Sequence, residues 1–141
     1  MPKLHFVDTG LACYLLGIKN YEQLVYSQYF GGLFENLIFM ELTKHSQWAL
    51  NDARLYHFRD KRKNEVDIVL EQCNGQIIGI EIKAAATVGT SDFKGLTKLA
   101  DFAGNKFSHG IVFYSGANIL PFNQEGIKMY ALPVGLLQYG K

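Results

Sequence analysis

The sequence predicts an α/β fold in which helices flank a mixed β-sheet, and two stretches of the chain carry this prediction. Residues 65–83 form two runs rich in β-branched residues around a short polar turn, the pattern of a β-hairpin. Residues 77–114 then alternate strand, helix and strand, which places the last strand parallel to the first through a right-handed crossover. Of the 141 residues, 48% are apolar and 19% charged, a balance that favours a folded domain over a disordered chain.

Two short helices are expected before the core. Asp8 is an N-cap for a helix over residues 9–16, which Gly17 ends. A second short helix follows Asn20 and extends through residues 21–27. Neither helix carries residues with an evident chemical role.

The next helix is predicted over residues 33–47, and its apolar residues cover most of its circumference. We therefore expect it to be largely buried. Glu35 lies on this apolar surface, where a carboxylate is costly unless something pairs with it. It either interacts with the helix dipole from the N-terminal turn or points at a charged cluster on the sheet.

The turn of the hairpin decides which side chains meet. A three-residue loop, 73–75, with its glycine left-handed, places Ile68 opposite Ile80 and collects the apolar side chains on one face. A two-residue loop, 74–75, would place Ile68 opposite Glu81 and mix apolar and charged side chains on both faces. The burial pattern favours the three-residue loop over the two-residue loop. Longer loops of the same parity would give the same facing, so the prediction concerns which side chains face each other and not the turn type.

In that register the charged side chains of the hairpin lie together on the other face. Asp67 faces Glu81, and Glu65 faces Lys83, so three carboxylates and one lysine form a cluster that Glu35 can join from its helix. A simpler alternative is a cross-strand ion pair between Glu65 and Lys83, which would stabilise the fold by less than about 1 kcal/mol.

Two opposed carboxylates with a nearby lysine suit the hydrolysis of a phosphodiester by a divalent metal ion. Mg²⁺ prefers oxygen ligands, and a bound metal polarises a phosphoryl oxygen and lowers the pKa of bound water. We expect Mg²⁺ or Mn²⁺ as the cofactor, with Asp67, Glu81 and Glu35 as ligands. Lys83 is then the catalytic lysine, which orients the water or neutralises charge on the phosphate.

A strand over residues 54–59 and a turn over residues 60–64 lead into the hairpin. The turn holds the one dense basic run of the sequence, and such runs are most often solvated, although they can also neutralise phosphates. His57 is the one histidine placed near the cluster, and a structural role is favoured for it. Four residues of this region are candidates for nucleic-acid contacts: Arg59, Lys61, Arg62 and Lys63.

After the hairpin, a loop over residues 84–90 leads to a helix that Ser91 is expected to cap. The wholly apolar run 110–114 predicts a strand covered on both faces. Residues 128–132 predict a further strand, at the edge of the sheet, that ends at Pro133.

We expect residues 1–141 to form one domain, with a helical lead-in over residues 1–30 and the core over residues 31–141. The net charge of +1 gives no overall attraction to nucleic acid or to a membrane. No apolar run approaches the roughly 18 residues of a membrane span, and the first residues lack the pattern of a secretory signal. Cys13 and Cys73 have no metal-ligand spacing, so we expect reduced core thiols in a cytoplasmic protein.

The chain resembles the PD-(D/E)xK nuclease superfamily, with Asp67 as the aspartate and Glu81-Ile82-Lys83 as the (D/E)xK motif. The predicted element order matches the restriction-endonuclease-like αβββαβ core of that superfamily, with Glu35 on the first core helix. Val66 stands where many members have proline. The resemblance implies a metal-dependent nuclease with Asp67, Glu81 and Lys83 in its site.

More narrowly, the chain resembles the uncharacterised nuclease-like C-terminal domain that follows AAA-type ATPase modules in bacteria and archaea. The matching stretches are Phe6–Leu11, Gly32–Asn36, Glu65–Asp67 and Ile80–Ala84. This resemblance implies an ATPase module in the same or a neighbouring chain, and nucleic acid, DNA in the first place, as substrate. The sequence itself contains no GxxxxGK[ST] phosphate loop. An alternative is a non-catalytic module that binds DNA or protein through an inactive nuclease fold.

Overall fold

A computed structural model describes residues 3–48 and 52–138. Two short helices come first, α1 (Thr9–Leu15) and α2 (Tyr21–Val25). The side chain of Asp8 accepts a hydrogen bond from the backbone N–H of Leu11, and the side chain of Asn20 caps α2 in the same way. Both predicted N-caps are therefore confirmed, and both helices end slightly earlier than expected.

The third helix, α3 (Phe30–Trp48), begins three residues before its predicted start because the two consecutive glycines lie inside the helix. Residues 33–43 are all buried or half-buried, so the apolar surface of this helix does pack against the protein. Glu35 lies beyond the first turn of α3, which holds no acidic residue. An interaction with the helix dipole therefore does not explain its position.

The remaining elements alternate around one six-stranded sheet with strand order β1-β2-β3-β4-β6-β5. Its helix α4 (Lys94–Ala103) follows a 3-10 turn, Thr90–Phe93. The strands are β1 (Arg54–Arg59), β2 (Glu65–Glu71), β3 (Ile77–Lys83), β4 (Phe107–Tyr114), β5 (Leu120–Pro121) and β6 (Met129–Pro133). From α3 to β4 the element order is the predicted αβββαβ order.

Strand directions confirm the mixed sheet. The first three strands pair antiparallel, β3 pairs parallel with β4, and β4 pairs parallel with β6. The last strand was expected at the edge of the sheet, which is wrong. The two-residue strand β5 pairs antiparallel with β6 and takes the edge position. A run of two residues has no periodicity that the sequence could reveal.

The hairpin has the predicted register over the four residue pairs from Glu71–Ile77 to Ile68–Ile80. Ile68 pairs with Ile80, and Leu70 with Ile78. The loop has three residues, because the backbone N–H of Gln72 donates to the carbonyl of Gln76 at 2.8 Å. Gly75, the last loop residue, has φ +80°, the left-handed conformation that this loop requires.

Two apolar layers enclose the sheet. On the α4 side Val66 and Val69 pack with Phe93, Leu96 and other buried residues. On the α3 side Ile68 and Ile80 pack with Phe34, Ile38 and Phe113. Successive residues of β4 alternate between the two layers, which confirms that this strand is covered on both faces.

Val66 departs from the prediction, because it lies in the α4 layer and not with Ile68 in the α3 layer. The cause is a β-bulge. Tyr56 pairs with Val69 and Phe58 with Val66, so three steps along β2 match two steps along β1. A bulge turns the chain and exchanges the faces on its two sides, so the prediction of one uniformly apolar face is wrong at this end of the hairpin.

Two smaller expectations are also wrong. Ser91 does not cap α4, since it lies inside the 3-10 turn, and Asp92 instead accepts from the backbone N–H of Gly89 at 2.7 Å. The cysteines are free but are not core thiols, because Cys73 is exposed in the hairpin loop and Cys13 is half-buried.

None of the helices in the described part of the chain is long and apolar enough to cross a membrane.

Two glycine-to-alanine substitutions test the packing of the sheet. A methyl group at Gly79 would lie 2.8 Å from the side chains of Leu96 and Leu99 on α4. We expect Gly79→Ala to destabilise the fold by about 1–3 kcal/mol through overpacking. Gly31 on α3 has nothing within 4 Å, so Gly31→Ala should stabilise the fold by about 0.5–1 kcal/mol.

Urea denaturation of the two variants and the wild type measures both effects. A Gly79→Ala variant as stable as the wild type would contradict the close approach of α4 to β3.

Candidate functional site

Asp67 lies at the bulge, where β2 and β3 separate. The regular pairing of the two strands ends at Ile68 and Ile80. Beyond that pair, the backbone N–H of Ile82 donates to Asp67 Oδ2 at 2.9 Å. The carboxylate therefore takes the place of a backbone acceptor, and this bond fixes Asp67 between the two strands.

The other carboxylate oxygen of Asp67 faces the N-terminal segment of the chain. Lys3 Nζ lies 3.0 Å from Asp67 Oδ1 and 3.0 Å from Glu35 Oε1. It also lies 3.5 Å from Glu65 Oε1. One ammonium group thus lies among three carboxylates that come from α3 and β2. Glu35 reaches the charged cluster, as the second of its two predicted roles requires.

Lys3 stays protonated in this position. Its partial burial lowers the pKa, but the hydrogen bonds to Glu35 and Asp67 and the charges of both carboxylates outweigh that effect. The net result is a pKa above its usual range. The Lys3 side chain therefore stays positively charged over the pH range of ordinary experiments.

Glu81 approaches the cluster from the α4 side of the sheet. A methyl group at Gly95, in the first turn of α4, would overlap the carboxylate oxygen of Glu81 and the carbonyl of Glu65. Only glycine at this position lets the helix come so close to the carboxylate. The close approach of α4 is one reason why the Glu81 carboxylate is withdrawn from water.

The pKa of Glu81 is raised to about 9, first by burial and then by the neighbouring charge of Asp67 and a hydrogen bond between the two carboxyl groups. The backbone N–H of Asp67 and the charge of Lys3 act in the opposite direction and are weaker. At neutral pH Glu81 is therefore protonated and donates a hydrogen bond to Asp67. The Glu81 and Asp67 carboxyl groups therefore share one proton, and this proton lowers the negative charge of the cluster as a second cation would.

Lys83 does not pair with Glu65. Its Nζ lies 2.6 Å from Asp92 Oδ2, in the 3-10 turn before α4. Glu65 instead contacts Lys3, and His57 Nε2 lies 3.1 Å from Glu65 Oε1. The expected cross-strand ion pair is wrong, because the bulge in β2 carries Glu65 away from the end of β3.

His57 lies opposite the bulge. Its Nδ1 is 3.3 Å from the backbone carbonyl of Asp67, and its Nε2 contacts Glu65. The ring therefore holds the bulged backbone on one side and a carboxylate of the cluster on the other. Its contacts fit the structural role that the sequence favoured.

Sequence reasoning missed Lys3 and Asp92. Nothing in the spacing of Lys3 connects it to residues more than thirty positions away, so no sequence signal could have placed it. Asp92 did have a signal, since it stands directly before an apolar helical run, where carboxylates commonly accept backbone N–H groups. The sequence predicts Ser91 as the cap instead. The contact between Asp92 and Lys83 could not be predicted from the sequence.

The donor chemistry fits a hard divalent cation, and the Lys3 ammonium marks where a cation lies. Among residues 3–48 and 52–138, however, no group of three or more histidine, cysteine, aspartate or glutamate side chains is arranged to hold a metal ion. The ammonium contacts its carboxylates at 3.0–3.5 Å, whereas Mg²⁺–oxygen distances are about 2.0–2.1 Å. The carboxylates would therefore have to close in around a metal ion, and Lys3 would have to leave.

The basic turn begins beside this cluster, because Arg59 pairs with Glu65 across β1 and β2. Asp60 holds the turn by accepting the backbone N–H groups of Arg62 and Asn64. The side-chain hydrogen bond from Asn64 also lowers the pKa of Asp60. The four predicted nucleic-acid contacts are all exposed: Arg59, Lys61, Arg62 and Lys63.

A groove of about 550 Å³ lies beside the basic turn and α4. Asn64, the last residue of the turn, lines it together with Lys94 and Lys98 of α4. Its lining contains no carboxylate; the remaining lining residues are Thr90, Thr97, Phe122, Asn123 and Gln124. Asn64 directly precedes Glu65 of the carboxylate cluster, and it is the lining residue that connects the groove to the basic turn.

The fold and the site define the class: an α/β domain that carries a carboxylate cluster where two strands of a mixed sheet separate. Residues 30–137 match the family described as Domain of unknown function (DUF4143), and the chain belongs to this family. No curated protein sequence matches the chain.

A solved structure shares the fold. It is a chain in a structure described as a refined half-complex from the tetradecameric assembly of Thermococcus gammatolerans McrB AAA+ hexamers with bound McrC. The TM-score is 0.57, the identity is 11%, and the match covers 73% of the present chain. The present chain spans 27% of that chain. At this identity, the likeness is one of fold alone.

Glu81 should make the stability of the fold depend on pH. Its pKa is about 9 in the folded protein and about 4.5 ordinarily, so between these values the folded protein binds more protons than the unfolded chain. This contribution to stability is complete below about pH 4.5 and is lost as the pH rises through about 9. The slope for one proton is at most about 1.4 kcal/mol per pH unit.

Glu81→Gln keeps the shape of the side chain and a hydrogen-bond donor but does not titrate. The variant should lose this part of the pH dependence and be more stable than the wild type near neutral pH. Urea denaturation of both proteins across a pH series measures the difference, and parallel pH profiles would contradict a half-buried, protonated Glu81.

Proposed function

We propose that this chain is a nuclease-like domain that hydrolyses phosphodiester bonds of nucleic acid with a divalent metal ion, and that it works with an AAA+ ATPase. One observation carries the proposal. Carboxyl groups from three separate elements lie together: Glu35 on α3 and Asp67 on β2 contact the same ammonium group, and Glu81 on β3 is hydrogen-bonded to Asp67. Such a costly arrangement of like charges is most readily explained by a bound cation.

Asp67, Glu81 and Glu35 would hold Mg²⁺ or Mn²⁺, which supplies Lewis-acid activation of the phosphate and of a bound water. The protein provides what surrounds this chemistry. Asp67 is fixed by the backbone N–H of Ile82, so it is the ligand whose position is set in advance. Glu81 must release its proton to become a ligand, so we expect metal affinity to rise with pH below about 9.

Lys83 is the proposed catalytic lysine at the other side of Glu81. Asp92 accepts from both Lys83 and the backbone N–H of Gly89, so it fixes the ammonium between the end of β3 and the 3-10 turn. From there Lys83 can neutralise charge that develops on a phosphate. Asp92 acts here as a positioning residue.

The basic turn and the groove support nucleic acid as the substrate. The turn carries exposed cationic side chains beside Glu65, and the groove adds the exposed side chains of Lys94 and Lys98. Lys and Arg side chains on such a surface bind the phosphate backbone without reading the base sequence. We propose DNA as the polymer because of the superfamily that the motifs resemble.

The ATPase partner is proposed from two observations. The chain contains no GxxxxGK[ST] phosphate loop of its own. The solved structure that shares its fold belongs to an assembly of AAA+ hexamers with a bound second protein. We therefore propose that ATP hydrolysis by a module in the same or a neighbouring chain moves or presents the nucleic acid to the carboxylate site.

A second candidate function is a non-catalytic binding module. It is favoured by two contacts: Lys3 already neutralises Glu35 and Asp67, and Lys83 is already paired with Asp92. In this alternative the cluster is a network of ion pairs that stabilises the fold, and the basic surface binds DNA without cleaving it.

Metal-dependent melting and cleavage distinguish the two functions. For the nuclease we expect Mn²⁺ to raise the melting temperature, and Asp67→Asn to remove that shift because the fixed ligand loses its charge. We expect Lys83→Met to lower cleavage by about a hundredfold or more while it keeps the metal-induced shift. Glu22→Gln, which changes an exposed carboxylate on α2, is the matched control and should behave like the wild type.

The readouts are differential scanning fluorimetry and cleavage of labelled single- and double-stranded DNA and RNA. A melting temperature that does not respond to metal, together with intact nucleic acid of every form, would leave the binding module as the function.

The basic turn should contribute to nucleic-acid affinity through phosphates. Replacement of Lys61, Arg62 and Lys63 by alanine should weaken binding of all sequences alike and reduce the salt slope by about 0.9 per lost phosphate contact. Alanine at Lys19, Lys44 and Lys106 removes the same charge from exposed positions outside the groove and the turn and serves as the control. Fluorescence anisotropy over a salt series measures both triple variants, and equal slopes would refute the assignment.

A further inference from the structure

The N-terminal strap, residues 3–8, is held on one face of α3. Buried Asn36 brackets the backbone of Phe6: its Oδ1 accepts from the Phe6 N–H at 2.7 Å, and its Nδ2 donates to the Phe6 carbonyl at 3.0 Å. The same Nδ2 donates to Thr9 Oγ1 at 2.9 Å. A single buried amide thus fixes the direction in which the strap leaves α1.

A second contact continues along the same face. The ring of His5 stacks on the ring of Phe39, with centroids 3.8 Å apart and planes inclined by 9°. Glu35, Asn36 and Phe39 are neighbours on the surface of α3, and each holds one residue of the strap. The amide bracket and the stacked rings place Lys3 at the carboxylates, so its position is set by contacts that do not involve the charged cluster.

The position of Lys3 excludes a metal ion from the same carboxylates. Its Nζ is 3.0 Å from one oxygen of Glu35 and 3.0 Å from one oxygen of Asp67. A divalent ion bound to both oxygens at about 2.0–2.1 Å would lie where the ammonium lies, and the two positive charges would repel each other. Only one of the two cations can occupy this site at a time.

The strap is also poorly packed on its outer side. Leu4 is 97% exposed and Val7 82% exposed, so the strap buries little apolar surface. A cavity of about 590 Å³ lies between the strap, α1 and α3. The strap can therefore leave the site at the cost of its ion pairs, the bracket and the stacked ring, and without disturbing either apolar layer of the sheet.

We propose that the N-terminal strap is an autoinhibitory element in which Lys3 acts as a tethered cation that competes with the divalent metal ion. The inference rests on the proposed function only in assigning a metal to the carboxylates. In the strapped state the carboxylates are neutralised by Lys3, and the domain can fold and bind nucleic acid without metal. In the released state the carboxylates take up the metal ion. Any partner that draws the strap away from α3 would raise metal affinity and switch the site on.

The test compares the affinity of Mn²⁺ for four versions of the 141-residue chain by isothermal titration calorimetry: the wild type, Lys3→Met, Lys3→Arg and Lys44→Met. Lys3→Met removes the competing cation, so we expect Mn²⁺ to bind about tenfold more tightly. Lys3→Arg keeps the charge and should bind like the wild type. Lys44→Met removes a positive charge from an exposed ion pair elsewhere on α3 and should leave the affinity unchanged.

An affinity of Lys3→Met within about threefold of both the wild type and Lys44→Met would overturn the proposal. If Lys3→Met does not fold, His5→Ala tests the same strap without a change at the carboxylates. It removes the ring stacked on Phe39 and should also tighten metal binding, and an unchanged affinity would overturn the proposal.

The outcomes separate this inference from the proposed function. Equal Mn²⁺ affinity in the wild type and Lys3→Met refutes the strap and leaves a metal-dependent nuclease possible. Tighter binding by Lys3→Met without cleavage of any nucleic acid supports the strap and refutes the nuclease. Absence of Mn²⁺ binding in both proteins refutes the two together.

Discussion

The hydrogen bond from the backbone of Ile82 to the carboxylate of Asp67 is the contact on which the site depends. It exists because β2 carries one extra residue at the bulge, which ends the regular pairing of the hairpin and leaves an N–H of β3 without a backbone partner. A buried N–H without a partner costs free energy, and Asp67 provides the acceptor. With one oxygen committed to the backbone, the other is held toward α3, and Lys3 and Glu35 are arranged around it.

The cluster must neutralise several carboxylates gathered in a small volume, and it does so in two ways. On the α3 side a lysine ammonium lies among Glu35, Asp67 and Glu65. On the α4 side Glu81 keeps a proton, because Gly95 brings the helix close and withdraws the carboxyl from water. In the proposed function a divalent cation would replace both the ammonium and the proton. The arrangement with lysine and proton and the arrangement with metal have the same net charge, so they are alternatives at the same site.

The sequence predicted the element order and the hairpin register because both follow from local signals. The alternation of Ile68, Leu70, Ile78 and Ile80 determines which side chains face each other, and the glycine of the loop favours the three-residue turn among loops of the same parity. The bulge could not be predicted, since it arises from the pairing of β2 with β1, and an extra residue leaves no mark in the pattern of one strand. The same bulge explains why Val66 lies in the other layer and why Glu65 does not meet Lys83. The contacts of Lys3 could not be predicted from the sequence, because only the fold brings this residue close to Glu35 and Asp67.

A crystal structure of the protein grown with Mn²⁺, with anomalous diffraction recorded to locate the metal, tests most directly whether a metal ion replaces Lys3 at the carboxylates. We predict one anomalous peak among the carboxylates of Glu35, Asp67 and Glu81, with Lys3 displaced and Asp67 still bonded to the backbone of Ile82. A map without an anomalous peak at these carboxylates, in which Lys3 still contacts Glu35 and Asp67, would contradict the account and identify the cluster as a permanent network of ion pairs.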